Sequence, residues 1–324
     1  MMRHPSNAPL WAITTYFNPC GYRRRLENYH TFRRELTVPL VTVELSFDGA
    51  FALESPDADI LVQLSGGDVM WQKERLLNVA LAALPAECQK FAWLDCDVVF
   101  ENDTWPEAAS CALDRHAVIQ PFSHSRALAH EADPEQCDQE HSQAKGEAIA
   151  RALATGRVKP EFMRVPDKGS FGMETGLAWA ARTDVFRHHN FYDACIMGAG
   201  DVAIIAGIVG HSHDFVECLL MNARRARHYL NWAEPFYETV RGNMGFCEGT
   251  IYHLWHGERT DRQYRQRHIE FAKYEFDPFH DVSIDTSGCW RWTTDKPQMH
   301  RLLKEYFSSR YEDGRPESAL EFRL

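Results

Sequence analysis

Along the first hundred residues, continuous apolar runs alternate with amphipathic stretches. LWAITTYF (10–17) and VPLVTVEL (38–45) are apolar and β-branched, and DILVQL (59–64) is shorter. All three have the unbroken hydrophobicity of strands buried on both faces. Between the first two, GYRRRLENYHTFRREL reads as an amphipathic helix after the turn Asn18-Pro19. After the third, WQKERLLNVALAALP places Leu76, Leu77, Ala80, Leu81 and Leu84 on one helical stripe and stops at Pro85. FAWLDCDVVF (91–100) reads as a fourth strand. The order βαβαβαβ predicts an α/β fold, a mostly parallel sheet with helices on both faces. Ligands of such sheets bind outside the carboxyl ends of the strands.

Farther on, AVIQPF (117–122) predicts another strand. Residues 123–170 are polar, carry a helix around Ala144 to Thr155 and lack a strand-length apolar run, so they read as a mobile insertion beside the site. The apolar pattern resumes in GLAWAARTDVF and breaks at the glycine-rich IMGAGDVAII. It continues through an aromatic helix, HYLNWAEPFYETV, the strand-like GTIYHLWHG (249–257) and a charged helix, TDRQYRQRHIEFAKY. MHRLLKEYFSSRYE predicts a last helix. The division expected is one domain over 8–270, with a first half at 8–122, the insertion at 123–170 and a second half at 171–270. A helical extension over 271–324 follows.

Composition narrows the classes. With 44% hydrophobic and 12% aromatic residues in 324, the chain can fill a sizeable core, which excludes a disordered protein. No apolar stretch approaches the ~20 residues of a bilayer span, and MMRHPSNAPLW lacks the pattern of a signal peptide, so a soluble, cytoplasmic protein is expected. Nine cysteines with no C-x-x-C pair suggest reduced thiols. A formal charge of -11 argues against a broad nucleic-acid surface. Arg23 to Arg25 and the run from Arg259 to Arg267 remain candidates for a local basic groove.

Three short patterns carry the candidate chemistry. Asp95 and Asp97 follow an apolar run directly, and charges placed against a core need solvent or a cation to hold them. If the segment is extended, both carboxylates share a face with Cys96 on the other, and they could grip one ion together. An ordinary strand end with solvated or capping acids is the other reading. His253 and His256 in HLWH are nitrogen donors of the kind transition metals use, and a turn beginning near Leu254 would bring both to one ion. Core histidines with ordinary hydrogen bonds are the alternative. Asp201 follows Gly198 and Gly200, which permit close backbone approach to a ligand; it could equally cap the helix that follows.

In order, these motifs resemble those of the GT-A glycosyltransferases, in particular the β-1,4-galactosyltransferase-like and polypeptide N-acetylgalactosaminyltransferase-like branches, over roughly residues 10–270. The resemblance implies a metal-dependent transfer of a sugar from a nucleoside diphosphate sugar, a UDP-sugar by expectation, to a hydroxyl acceptor with inversion. It implies Asp97 as a ligand of Mn²⁺ (or Mg²⁺), Asp95 on the nucleotide ribose or the metal, and His253 and His256 completing the metal shell. Asp201 takes the place of the family's base. Donor recognition near the first two strands makes Thr15, Asn18 and Glu44 candidates for the base. Lys73 and Arg75 are candidates for the diphosphate, with a solvated helix face as the other reading, and Trp179, Trp232 and Trp255 for stacking on a sugar or acceptor ring, with core packing as the default for each. The sequence departs from the family in reading GAGD, with glycine before the acid, so the acceptor-contacting glutamate of the motif is missing.

Two other classes compete. WLDCDVVF also satisfies the D-x-D-x-V signature of haloacid-dehalogenase-like, Mg-dependent phosphatases, although that signature normally follows the first strand and here follows three. A non-catalytic nucleotide-sugar-binding module would use the same metal site without turnover. Within the transferases, the acceptor could be a glycan, another hydroxyl compound or, less favoured by the acidic balance, modified DNA.

Overall fold

A computed structural model describes residues 10–130, 132, 142–161 and 172–315. The apolar runs of the first hundred residues form the parallel half of a central sheet. Its elements are β1 (Trp11–Phe17), α1 (Arg23–Glu35), β2 (Leu40–Ser46), β3 (Ile60–Ser65), α2 (Lys73–Ala83) and β4 (Lys90–Leu94). β1 pairs in parallel with both β2 and β4, and β2 with β3. β2 is buried along its whole length, as continuous hydrophobicity requires, whereas β3 is half exposed because it forms the sheet edge.

The chain then leaves this sheet for a second one. β5 (Val98–Phe100) and α3 (Trp105–Leu113) are followed by β6 (Val118–Gln120), β7 (His124–Leu128), β8 (Ser142–Ala148), α4 (Ile149–Ala154), β9 (Met173–Glu174) and β10 (Ala178–Arg182). α5 (Thr183–His189), α6 (Gly200–Val209), α7 (Ser212–Cys218), α8 (Ala223–Val240), β11 (Met244–Phe246) and β12 (Thr250–His253) complete the core. The central sheet runs β11-β6-β10-β4-β1-β2-β3, with β10 antiparallel to both of its neighbours. The smaller sheet runs β5-β12-β7-β8-β9. The mixed α/β class with a mostly parallel central sheet flanked by helices is therefore the one expected. Its core is aromatic: Trp93 of β4 stacks on Trp179 of β10 at 6.0 Å, with Phe186 and Phe191 against them. Burying each such side chain contributes about 1.5–3 kcal/mol relative to leaving it in water.

Four expectations need correction. FAWLDCDVVF is two strands in different sheets, broken at residues 95–97: the Asp95 N–H bonds Leu177 O at 2.8 Å, while Asp97 O accepts from Leu254 N at 2.8 Å. The ladder passes from β10 to β12 within three residues, so Asp95 and Asp97 do not share one extended face. The helix expected around Ala144 to Thr155 begins at Ile149, because 142–148 pair with β7 and extend the smaller sheet. The stretch 123–170 therefore contains two strands; residues 131, 133–141 and 162–170 of it lie outside the described residues. The extension after residue 270 is not wholly helical. Following α9 (Gln266–Ala272), β13 (Val282–Ile284) and β14 (Trp290–Trp292) form a hairpin before α10 (Pro297–Ser308). Among the described residues no helix is long and apolar enough to cross a membrane.

Candidate functional site

The break after β4 divides the two aspartates between two clusters. Asp97 comes to the histidines at the end of a ladder: β5 runs antiparallel to β12 with Val98 opposite His253, and Asp97 O accepts from Leu254 N at 2.8 Å, between the two histidines in sequence. β12 ends at His253, and the irregular chain that follows, through Leu254 and Trp255, brings His256 back beside it. His253 Nε2 and His256 Nε2 lie 2.9 Å apart, and Asp97 Oδ2 lies 3.2 Å from His256 Nε2. One ligand atom from each of the three falls within 4.8 Å of the others.

The chemistry of this trio suits a divalent cation. Asp97 Oδ1 is buried and accepts no hydrogen bond, and His253 Nε2 is 3.7 Å from it. An unpartnered buried carboxylate oxygen is expensive unless a cation completes it. Burial, with Arg262 nearby, pushes His253 down to about 4 and His256 well below its usual range, so both rings are neutral and offer lone pairs. Burial and the charge of Asp95 push the Asp97 carboxyl up to about 7. Two imidazoles and one carboxylate favour a transition metal such as Mn²⁺ over Mg²⁺, which prefers oxygen.

The second cluster is built on helix N-termini. Lys73 opens α2 and is buried; its Nζ lies 2.6 Å from Asp95 Oδ1 and 3.2 Å from Asp201 Oδ1. Lys73 is thus not on a solvated face, whereas Arg75 turns to Asp193 at 3.0 Å. Burial pulls the Lys73 ammonium down, but Asp201, Asp95 and Glu74 outweigh it and hold it well above its ordinary value. Asp201 is raised by burial against the opposing pull of Lys73. It does not cap α6: Ala199, at φ 77°, holds that position, and Asp201 lies in the first turn. A negative charge there is favoured by the helix dipole. Gly176 lets the backbone pass close by, since a Cβ there would lie 2.9 Å from Asp201 Oδ2 and 3.7 Å from Asp95 Oδ2.

The donor-side candidates are placed less uniformly. Thr15 and Glu44 lie on the paired strands β1 and β2, and Asn18 just beyond β1. The Glu44 carboxylate already accepts from Ala52 N at 2.6 Å and Gln63 Nε2 at 2.9 Å. Asn18 exchanges both of its side-chain bonds with the Tyr22 backbone. Trp179 packs in the core and Trp232 stacks on Phe236; Trp255 bonds Glu258 through Nε1 at 3.2 Å.

Glu74 escapes sequence reasoning, and Arg262 and Arg267 are reached only as part of a basic run. Glu74 is 1% exposed behind Asp201, and a Cβ on Gly200 would run into its carboxyl, which explains the glycine before the acid. Arg262 and Arg267 are buried, and neither pairs with a carboxylate among the described residues. Arg262 Nη2 instead lies 2.8 Å from His256 Nδ1 and donates to His256 O at 3.0 Å. The basic run from 259 was the available signal.

No protein-family model matches the chain, and no curated protein matches it. Solved structures do. S. aureus TarS 1-349 in complex with UDP-GlcNAc is 12% identical, with a TM-score of 0.39 over 98% of this chain and 77% of that one. A mycobacterial protein is 11% identical, with a TM-score of 0.39 over 90% and 88%. The galactosyltransferase LgtC in complex with donor and acceptor sugar analogues is 9% identical, with a TM-score of 0.31 over 96% and 99%. Likeness at this level transfers neither residue roles nor substrates to this chain.

Proposed function

We propose that the protein is a metal-dependent glycosyltransferase of the GT-A type, moving a sugar from a nucleoside diphosphate sugar to a hydroxyl acceptor with inversion. The observation that carries this reading is the side-by-side placement of two clusters after β4: a metal-ready Asp97, His253 and His256, and a carboxylate pair, Asp95 and Asp201, bridged by Lys73. The motif order that resembles this family supports it.

Asp97, His253 and His256 would hold the cation, which when bound neutralises the charge of a diphosphate. Arg262 and Arg267, which have no carboxylate partner among the described residues, supply further positive charge on that side. Asp201 serves as the base. It accepts the proton of the acceptor hydroxyl as that oxygen bonds to the anomeric carbon and the bond to the diphosphate breaks on the opposite face. Burial favours this role, because it raises the carboxyl and makes the carboxylate a better proton acceptor. Lys73 keeps Asp201 charged until the acceptor arrives.

A screen of nucleotide sugars by thermal shift, with and without Mn²⁺, followed by a transfer or hydrolysis assay on the best binder, tests the proposal. Metal-dependent stabilisation by a UDP-sugar and sugar release or transfer are expected. Binding without turnover would leave a nucleotide-sugar-binding module. Phosphate release through a phosphoenzyme on Asp95, with no nucleotide-sugar binding, would replace the proposal with the phosphatase.

A further inference from the structure

Residues 309–315 lie across the loop that carries His256. Gly257 has φ +91°, and a Cβ there would lie 2.5 Å from Arg310 O, so only glycine lets the two backbones meet. Asp313 accepts from Arg23 N at 3.0 Å and Arg24 N at 2.7 Å, capping α1 from outside that helix. Arg315 pairs with Asp261. Held at both ends, the segment seats Glu312, which is 1% exposed, directly behind the metal-ready trio.

A carboxylate this deeply buried needs partners, and Glu312 has three. Arg25 Nη1 lies 3.0 Å from Oε2, Arg310 bonds Oε1, and His256 Nδ1 lies 3.9 Å from Oε1. The third is the informative one. A neutral imidazole carries one proton, and a ring that gives its Nε2 lone pair to a cation must carry that proton on Nδ1. The proton then needs an acceptor. Arg262 Nη2, 2.8 Å from Nδ1 and 2.9 Å from Nε2, has only hydrogens to offer, so it must give way at Nε2 when a cation binds, whereas Glu312 is an acceptor about 1 Å short of hydrogen-bond distance.

Building on the metal-site reading above, we propose that Glu312 is a positioning residue. It accepts a hydrogen bond from Nδ1–H of His256, which keeps that proton on Nδ1 and leaves the Nε2 lone pair to a divalent cation together with Asp97 and His253. Carboxylates that orient metal-bound histidines in this way typically change metal affinity by about 10–100-fold when removed. Glu312 stands 56 residues beyond His256 in sequence, so the segment 309–315 serves the site as well as the fold.

The test is Mn²⁺ binding by calorimetry on the full chain without any donor, beside the melting temperature of the metal-free protein. Glu312→Gln, which keeps the shape and loses the strong acceptor, should bind Mn²⁺ about 10–100-fold more weakly at temperatures where it is fully folded. Nitrogen-15 spectra of the Mg²⁺-saturated wild type should show the His256 proton on Nδ1. Wild-type Mn²⁺ affinity in a folded Glu312→Gln overturns the inference. If Glu312→Gln does not fold, Glu312→Asp keeps the charge for Arg25 and Arg310 while withdrawing the oxygen from His256; it should lose affinity likewise, and wild-type affinity there overturns the inference too. A wild type that binds no Mn²⁺ overturns the metal site itself, a result distinct from failure at Glu312.

Discussion

Lys73 Nζ and Asp201 Oδ1 lie 3.2 Å apart, joining the first turns of two helices whose paired residues are 128 positions apart in sequence. The same ammonium reaches Asp95 at 2.6 Å, so one buried cation stands between two carboxylates. Lys73→Met keeps the apolar stem and removes the charge, leaving two acids facing each other with no counter-ion. Uncompensated buried charge of this kind destabilises by about 3–5 kcal/mol. A clear drop in the urea midpoint is expected, together with weaker donor binding. An unchanged midpoint would show that water, not Lys73, neutralises the pair.

Asp201→Asn separates a base from a structural acid. The amide keeps the shape beside Gly176 but cannot accept a proton, so donor affinity should survive. Turnover should fall by roughly 10²–10⁴, as for loss of a general base. Because Ala199 and not Asp201 holds the cap position of α6, lost capping is not a competing explanation for reduced activity. A correctly folded variant with near wild-type turnover would remove the inverting mechanism proposed for this site.

The parallel half of the fold was legible because its strands are buried on both faces, which leaves an unbroken apolar signal at LWAITTYF and VPLVTVEL. That His253 and His256 meet was legible only as a condition, a chain leaving the extended form near Leu254, and the two Nε2 atoms do lie 2.9 Å apart. The division of Asp95 from Asp97 was not: apolar pattern runs straight through FAWLDCDVVF, and only the competing hydrogen bonds of Leu177 and Leu254 break the strand. Glu74 was hidden because a helix's first turn ordinarily carries acids for its dipole, and burial of this one follows from the glycine at 200 on a different helix. Glu312 closes the stretch MHRLLKEYFSSRYE read as one helix, but that helix ends at Ser308, and the irregular chain beyond it carries Glu312 inward. Its role depends on contacts with Arg25, Arg310 and His256, residues that sequence spacing does not bring together.

Alanine at Asp97, His253 or His256 should act alike. Each removes one ligand from the proposed three-ligand site, so Mn²⁺-dependent binding of a uridine nucleotide should weaken in all three variants, while any metal-independent binding stays unchanged. Titrating the nucleotide with and without Mn²⁺ reads both quantities. A variant of His253 that retains full metal dependence would reduce the site to Asp97 and His256.

Gly257→Ala tests the seat of the 309–315 segment. The new residue would sit at φ +91°, which costs of order 1–3 kcal/mol, and its Cβ would press on Arg310 O, a backbone atom that cannot swing away. Lower thermal stability is expected, with faster proteolysis around residues 309–315, because that is the segment the methyl group displaces. Equal protease sensitivity in variant and wild type would show that the two backbones can separate without loosening the segment.

Glu74 gives a pH dependence whose sign can be worked out. Burial pushes its carboxyl up to about 8; Lys73 opposes this and the charges of Asp201 and Asp95 add to it. In the unfolded chain the same group titrates near 4.3. Between these values the folded protein holds a proton that the unfolded chain has released, so stability from this group is complete below about 4.3 and is lost as pH rises through about 8. Glu74→Gln mimics the protonated form at every pH. Asp201, Asp95, Lys73 and Cys195, which face Glu74, are the same in both proteins, so the comparison largely cancels them. The melting temperature of Glu74→Gln relative to wild type should therefore climb from about pH 5 to about pH 9, leaving the variant the more stable at the alkaline end. A difference that stays constant across that range would mean that the folded protein keeps Glu74 ionised, and that Lys73 rather than burial sets its state.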